Sequence, residues 1–321
     1  MKAVRFHETG GPDVLRLEDV PDPEPGDGDV LVRLAASAVN PAEVSRRGGR
    51  MGQVVDLPAM LGIEGAGVVA QVGKDVTSVD VGDRVIARQP PYSYAEFVVV
   101  PERSVYAVPE NLSLVEAATV TITFTTAWSA LRVRGGGKEG DTVLVQAAAS
   151  GVGIAAIQLA KQLGMTVLAT ASSPEKLEWA AWYGLDHGIN YVEQDFVAEA
   201  KRLTDGRGVD VIVDGVGGDV LARGITALAR GGRLTVFGGG GGRETSFPVV
   251  DLYRNAVSIV GVGGSLTPRE DFEMILGWFG EGKLAPTIDR TWPLAEAAEA
   301  HRYQESRQIK GKSALVISED S

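Results

Sequence analysis

Three stretches of this chain carry residue types that could do chemistry. The first is QAAASGVGIAAIQLAK (146–161), where an apolar strand runs into a Gly-containing turn and opens a helix. Such a turn presses backbone N–H groups and the positive helix end against a pyrophosphate, the usual seat of a dinucleotide. Against the G-x-G-x-x-G spacing the three positions are Ala148, Ser150 and Gly153, and only the third is Gly. Close packing of helix on strand accounts for a lone Gly equally well. The second stretch, ATASSPEK (169–176), ends the next strand. A site for NAD wants Asp or Glu there, to accept from the ribose 2′-OH. Here stand Ser172 and Ser173, with Lys176 a turn later and Tyr191 ending the following strand. Hydroxyls and a cation suit a 2′-phosphate, which predicts NADPH. Ser173 before Pro174 also reads as a helix N-cap. The third stretch is LGIEGAGVV (61–69), a Gly-lined start to a strand in which apolar Ile63 separates Gly62 from Glu64. Read locally, Ile63 is a turn residue.

The elements that must position these residues fall into two styles. Up to about Val120 the chain is short strands and turns: VLRLEDV (14–20), VLVRLAASAVN (30–40), GAGVVAQVG, DRVIARQ and SYAEFVVVP, with PDPEPGDGD as a turn. TITFTTAWSALRV (121–133) then reads as a helix. After it apolar strands alternate with helices: 142–147, 166–172, HGINY, 209–217, 232–239 and 257–263 as strands, with a polar helix around Glu193–Thr204 and another reaching Ala229. That alternation means a parallel sheet covered on both faces. The tail carries helices at 268–281 and 294–306 and the strand KSALVIS. One strand and two helices cannot form a domain, so the chain is expected to return to its first part.

Composition narrows the function classes. At 321 residues two domains are expected. A net charge of −11 repels nucleic acid and anionic membranes. The absence of cysteine excludes disulfides, thiolate metal sites and a Cys nucleophile. MKAVRFHETGGPDVL lacks the apolar core of a signal peptide, and no apolar run approaches the ~20 residues of a membrane span, so a cytoplasmic protein is expected.

Taken together, VNPAEVSRRGG (39–49), LGIEGAGVVAQVG (61–73), VGDRVIA (81–87), YSYAEFVVVP (92–101), AAASGVG (147–153), GLDHGINY (184–191), GVDVIVDGVGG (208–218) and GKSALVI (311–317) resemble the medium-chain dehydrogenase/reductase superfamily. The similarity is to its zinc-independent quinone oxidoreductase branch and covers essentially the whole chain. It implies an α/β protein: a GroES-like β-rich catalytic domain (1–122 and 264–321) plus a Rossmann domain (123–263) built on a doubly wound, parallel six-stranded sheet. It also implies a nicotinamide in the cleft between them, and a homodimer joined edge to edge by the sixth strands.

In the zinc alcohol dehydrogenases of that superfamily a metal-binding His stands where this chain has Ile63, so the resemblance implies no metal. His7, His187 and His301 are not at ligand spacing and read as surface or cap residues. Without zinc, hydride transfer suits an electron-poor acceptor, a quinone or enone whose oxygen meets a hydrogen-bond donor. By resemblance Asn40 donates to that oxygen, with Tyr92 as another donor and Tyr94 more a packing residue, and Thr126 touches the nicotinamide end. Asn40 before Pro41 also reads as a turn-stabilising Asn. Ser150, Gly151, Val152 and Gly153 would meet the pyrophosphate, and Ser172, Ser173, Lys176 and Tyr191 the 2′-phosphate. Phe237, Gly238, Val262 and Gly263 would line the nicotinamide side, and Arg307 would add a phosphate contact. The chain departs from its relatives where they carry substrate-side tyrosines: here stand Ser45 and Met51, among Arg46, Arg47 and Arg50. An enoyl-thioester reductase and a weakly catalytic NADPH-binding sensor are the competing readings.

Overall fold

The strand Thr142–Val145 is buried along its whole length, and five further strands lie beside it in parallel. Their order across the sheet is His187–Asn190, Thr166–Ala171, Thr142–Val145, Val209–Asp214, Leu228–Val236, Ser258–Gly261. The central strands Thr142–Val145, Thr166–Ala171 and Val209–Asp214 are covered on both faces, which is why they read as largely continuous apolar runs rather than alternating ones. Leu144, Leu168, Ile212 and Leu234 from the strands meet Leu221 and Ile225 of the helix Gly218–Ala227 in one apolar core. Strand order reverses between Thr142–Val145 and Val209–Asp214. The carboxyl ends of the strands at such a reversal are where ligands bind in this architecture.

This computed structural model describes residues 1–50, 54–263 and 267–318. The chain forms two units, Thr123–Phe272 and, around its own core, Met1–Ile122 with Glu273–Ser321. The second break falls later than residue 263, because Thr267 and Asp271 stay tied to the helix Thr121–Trp128. Thr267 donates its hydroxyl to the Thr125 carbonyl (2.8 Å), and the Trp128 indole donates to Asp271 (2.7 Å).

The other unit is built on a mostly antiparallel sheet ordered Ile288–Pro293, Lys312–Val316, Asp29–Val39, Glu64–Val72, Arg84–Arg88, Val105–Ala107, with Phe97–Pro101 also paired to Asp29–Val39. Ile288–Pro293 is a strand that the sequence reading left out. Its residues are mostly exposed, so it lacks an apolar signature, and it is held by parallel pairing with Lys312–Val316. Lys312–Val316 pairs antiparallel with Asp29–Val39, Ser313 opposite Val39. That register sets the last strand of the chain beside the start of the helix Pro41–Arg47. Among the described residues no helix is long and apolar enough to cross a membrane.

Candidate functional site

In the parallel-sheet unit the expected nucleotide turn is built as a capped helix start. Ser150 is the N-cap of Gly151–Gln162, and its hydroxyl oxygen accepts from Gly153 N–H at 3.0 Å. Its φ of −76° is one a serine adopts without strain, so Ser in place of the middle Gly closes the turn. Gly153 has no such latitude: a Cβ there would lie 2.3 Å from the Ala147 carbonyl oxygen. The N–H groups of Gly151 and Val152 have no partner inside the helix, as at any helix start, and add to its positive end. This turn fits a pyrophosphate.

The residues expected around a 2′-phosphate gather at the next two strand ends. Ser172 and Lys176 are half-buried, and Ser173 caps Pro174–Ala181 by accepting from Lys176 N–H at 3.4 Å. Tyr191 N–H donates to the Ala171 carbonyl (3.1 Å), which holds an exposed tyrosine beside the strand end that carries Ser172. On the far half of the sheet, Phe237 N–H donates to the Asp214 carbonyl (3.0 Å), and Val262 N–H to that of Val236 (2.8 Å). Gly238 lines a cavity of about 260 Å³ with Gly217, Gly218 and Arg243, and Gly263 is exposed. Thr126 is half-buried on its helix. Arg307 belongs to the other unit, where it is exposed with a left-handed φ of +59°.

The β-rich unit holds a buried polar cluster, of which the sequence pointed to Asn40 as a donor and Tyr94 as a packing residue. Glu64 begins its strand fully buried. Its Oε1 accepts from Lys312 Nζ (2.9 Å) and from Asn40 Nδ2 (3.0 Å), and its Oε2 accepts from Ile122 N–H (2.8 Å). Lys312 Nζ donates also to Asn40 Oδ1 (2.5 Å) and to the Val39 carbonyl (3.1 Å). Ammonium donors must meet the amide oxygen, so the orientation of Asn40 is determined. Its amide hydrogens go to Glu64 and, at 3.4 Å, to Glu43 Oε1. Asn40 is 3% exposed. Its amide is engaged inside the protein, by Glu64, Glu43 and Lys312.

Glu43 is the second carboxyl of the cluster. Pro41 opens the helix at a position that tolerates proline, and Glu43, in its first turn, reaches back to accept from Asn40 N–H. Its Oε1 also accepts from Ile63 N–H (3.0 Å). Burial pushes its carboxyl up to about 7, against the pull of the Lys312 charge and the Asn40 N–H; the nearby Glu64 adds to the rise. Tyr94 donates its hydroxyl to Glu43 Oε2 at 3.5 Å and lies 3.1 Å from His301 Nε2. Arg47 Nη1 lies 3.1 Å from His301 Nδ1. A guanidinium only donates, so Nδ1 accepts and the ring proton sits on Nε2, aimed at the Tyr94 oxygen. Burial and then the Arg47 charge hold His301 down at about 3. Arg47 discharges onto Glu305 at 2.8 Å.

His301 is therefore buried, not the surface or cap residue expected; His7, bonded to Glu18, and His187 are exposed. The signal for His301 was available, since Ala297, Ala300 and His301 share one helical face. Tyr92 is half-buried, and burial raises its hydroxyl. Gly62, at φ +102°, lets the Ser93 segment pass where a Cβ would lie 2.2 Å from Ser93 Oγ. Against Glu43 opens a cavity of about 330 Å³, lined in part by Arg46, Val54, Val55, Leu61 and Ile63. Ser45 is half-buried on the same helix, and Met51 lies outside the described residues.

As a place for a metal, this corner does not fit. Ile63 brings an apolar side chain, while Asn40 Oδ1 and Glu64 Oε1 already accept from Lys312. Among the described residues no group of three or more His, Cys, Asp or Glu could hold a metal ion.

Comparison with known proteins agrees with the fold. Residues 26–110 match the alcohol dehydrogenase GroES-like domain, and residues 151–281 match the zinc-binding dehydrogenase family. The quinone oxidoreductase of Homo sapiens is 33% identical over 312 residues, 94% of this chain and 93% of that protein. The solved structure of an NAD-dependent alcohol dehydrogenase superposes with a TM-score of 0.92 at 37% identity, covering 99% of this chain and all of the other. The Escherichia coli quinone oxidoreductase, solved with NADPH, superposes with a TM-score of 0.91 at 29% identity over 99% of this chain and all of that one. With its matched domains, its parallel six-stranded sheet and near-complete coverage by these relatives, the chain belongs to the quinone oxidoreductase branch of the medium-chain dehydrogenase/reductase superfamily and is an oxidoreductase.

Proposed function

We propose that the protein uses NADPH to reduce a conjugated carbonyl compound, a quinone or an enone, without a metal ion. The observation that carries this reading is the Asn40–Glu43–Glu64–Lys312 cluster. A lysine ammonium and apolar Ile63 occupy the corner of the fold that a metal would need, which leaves no Lewis acid to activate an alcohol. A conjugated acceptor needs less help, because its own carbonyl takes up the negative charge.

The choice of NADPH rests on strand ends. The relatives include both an NAD-dependent protein and one solved with NADPH, so the local residues decide. Ser172, Lys176 and Tyr191 supply hydroxyls and a cation around the end of Thr166–Ala171, where a carboxylate would select NAD. When bound, the dinucleotide supplies the hydride. The chain's own part is to hold the pyrophosphate at Ser150–Gly153, orient the cofactor, and shape the acceptor's surroundings.

The cavity beside Ile63 takes an apolar acceptor against Val54, Val55 and Leu61, with Arg46 as the cation at its wall. We read the assembly as a homodimer joined through Ser258–Gly261, the last strand of its sheet.

The test is a steady-state screen of NADPH and NADH oxidation with a 1,4-quinone, a simple enone and an enoyl thioester. Turnover of quinone or enone with NADPH supports the reading. Turnover of the thioester alone replaces the substrate class, and a hundredfold preference for NADH overturns the cofactor. Tight NADPH binding with no turnover would leave the sensor reading in its place.

A further inference from the structure

We propose that Glu43 is the proton donor of this site, the acid that protonates the acceptor after hydride has arrived. The inference rests on the conjugated-acceptor reading above.

Reduction of such an acceptor needs a proton as well as a hydride. Hydride, with its electron pair, adds to the β-carbon. The C=C pair shifts and negative charge collects on the carbonyl oxygen. The O–H bond of the acid then breaks, and its proton goes to the α-carbon of an enone or to the oxygen of a quinone. The acid is left as a carboxylate, and a proton from water restores it.

Among the described residues Glu43 and Arg46 are the ionisable ones lining the cavity, and a guanidinium cannot give up a proton near neutral pH. Glu64, the neighbouring carboxyl, is not part of that lining, and its Oε1 accepts directly from the Lys312 ammonium. Glu43 faces no cation of its own. Lys312 on the last strand serves Glu64 and Asn40, Arg47 on the same helix serves Glu305 and His301, and His301 is neutral.

Two buried carboxyls therefore share one ammonium. A proton on Glu43 balances the charge, and burial raises this carboxyl to about 7. Once the proton has left, the N–H groups of Asn40 and Ile63 and the Tyr94 hydroxyl already point at the carboxylate oxygens. While the proton is held the Tyr94 hydroxyl turns from donor to acceptor, and release of the proton restores its bond to the carboxylate.

The experiment uses the full chain. In pH-difference infrared spectroscopy of the protein without cofactor, a protonated-carboxyl band titrates with a midpoint near 7 and is missing from Glu43→Gln. In turnover of cyclohexenone at saturating NADPH, kcat falls as pH rises through that midpoint. Glu43→Gln lowers kcat about 100-fold at pH 6 and removes the falling limb, with KM little changed. Glu43→Asp keeps a limb, and this stands as the test if the Gln variant does not fold: no limb and no band in Asp overturns the proposal. Turnover by Glu43→Gln at the unmodified rate and with the unmodified limb overturns it alone. If the unmodified protein reduces no conjugated acceptor, the function reading falls and this proposal falls with it.

Discussion

The Lys312 ammonium donates to Glu64 Oε1 at 2.9 Å, joining residues 248 positions apart in sequence. Both side chains are buried, at 6% and 0% exposure, so each depends on the other for its charge to be tolerated. Lys312→Met strands the Glu64 charge and the Asn40 oxygen, and is expected to cost about 3–5 kcal/mol in urea denaturation. Adding Glu64→Gln removes the stranded charge and is expected to return part of that loss. Equal stability of the single and double variants would show that the pair is not coupled.

Stability against pH should carry two opposing slopes from neighbouring groups. Glu43, raised from 4.5 to about 7, binds its proton more tightly in the folded state, so its contribution is full below about 4.5 and is lost as pH rises to about 7. His301, lowered from 6.5 to about 3, does the reverse: its contribution is full above about 6.5 and is lost as pH falls to about 3. Between about 4.5 and 6.5 the two cancel. Glu43→Gln leaves His301 unopposed there. Relative to the unmodified protein, its stability is expected to climb by roughly 1.4 kcal/mol per pH unit across that window, measured by chemical denaturation at several pH values.

The nucleotide turn separates a cap from a close approach. Ser150→Ala loses the bond to Gly153 N–H and should cost about 1 kcal/mol of stability. Gly153→Ala forces a Cβ to within 2.3 Å of the Ala147 carbonyl, so the turn must open. NADPH affinity is expected to fall more in Gly153→Ala than in Ser150→Ala, as read by fluorescence titration.

Cofactor choice should follow the strand end. Lys176→Ala is expected to weaken NADPH about tenfold and leave NADH nearly unchanged, since one charge-assisted contact is worth on the order of 1.5 kcal/mol. Ser172→Asp should go further and favour NADH, by repelling a 2′-phosphate and accepting from a 2′-hydroxyl. Isothermal titration with both dinucleotides checks each variant, and equal losses for the two cofactors would remove Lys176 from the phosphate site.

Dimer formation is read from the edge strand. Ile259→Pro removes an N–H from the free edge of Ser258–Gly261, since the Val262 N–H, and with it that of Val260 two residues before, faces Leu228–Val236, and the change is expected to shift the protein toward monomer in sedimentation velocity. An unmodified protein that is already monomeric would end that reading.

What the amino-acid sequence determined by itself is local. The continuous apolar runs of Thr142–Val145 and Val209–Asp214 require a sheet covered on both faces. Ser150 and Ser173 cap helices because a hydroxyl three residues before an N–H reaches it whatever the rest of the chain does. Ile63 is visible as an apolar residue beside Glu64, and the residues at the end of the second strand can be read as ligand chemistry. Tertiary structure alone decided what Glu43, Lys312 and His301 do. Glu43 reads locally as a helix-start glutamate, Lys312 as a strand-start lysine, and His301 as one polar residue among many in a charged helix. Their roles come from contacts to residues 20 to 273 positions away, and from a burial that takes them out of water. Desolvation makes a cap a candidate acid, a lysine an internal counter-ion and a histidine a neutral link. It depends on what packs over a residue, and no window of sequence around that residue contains it.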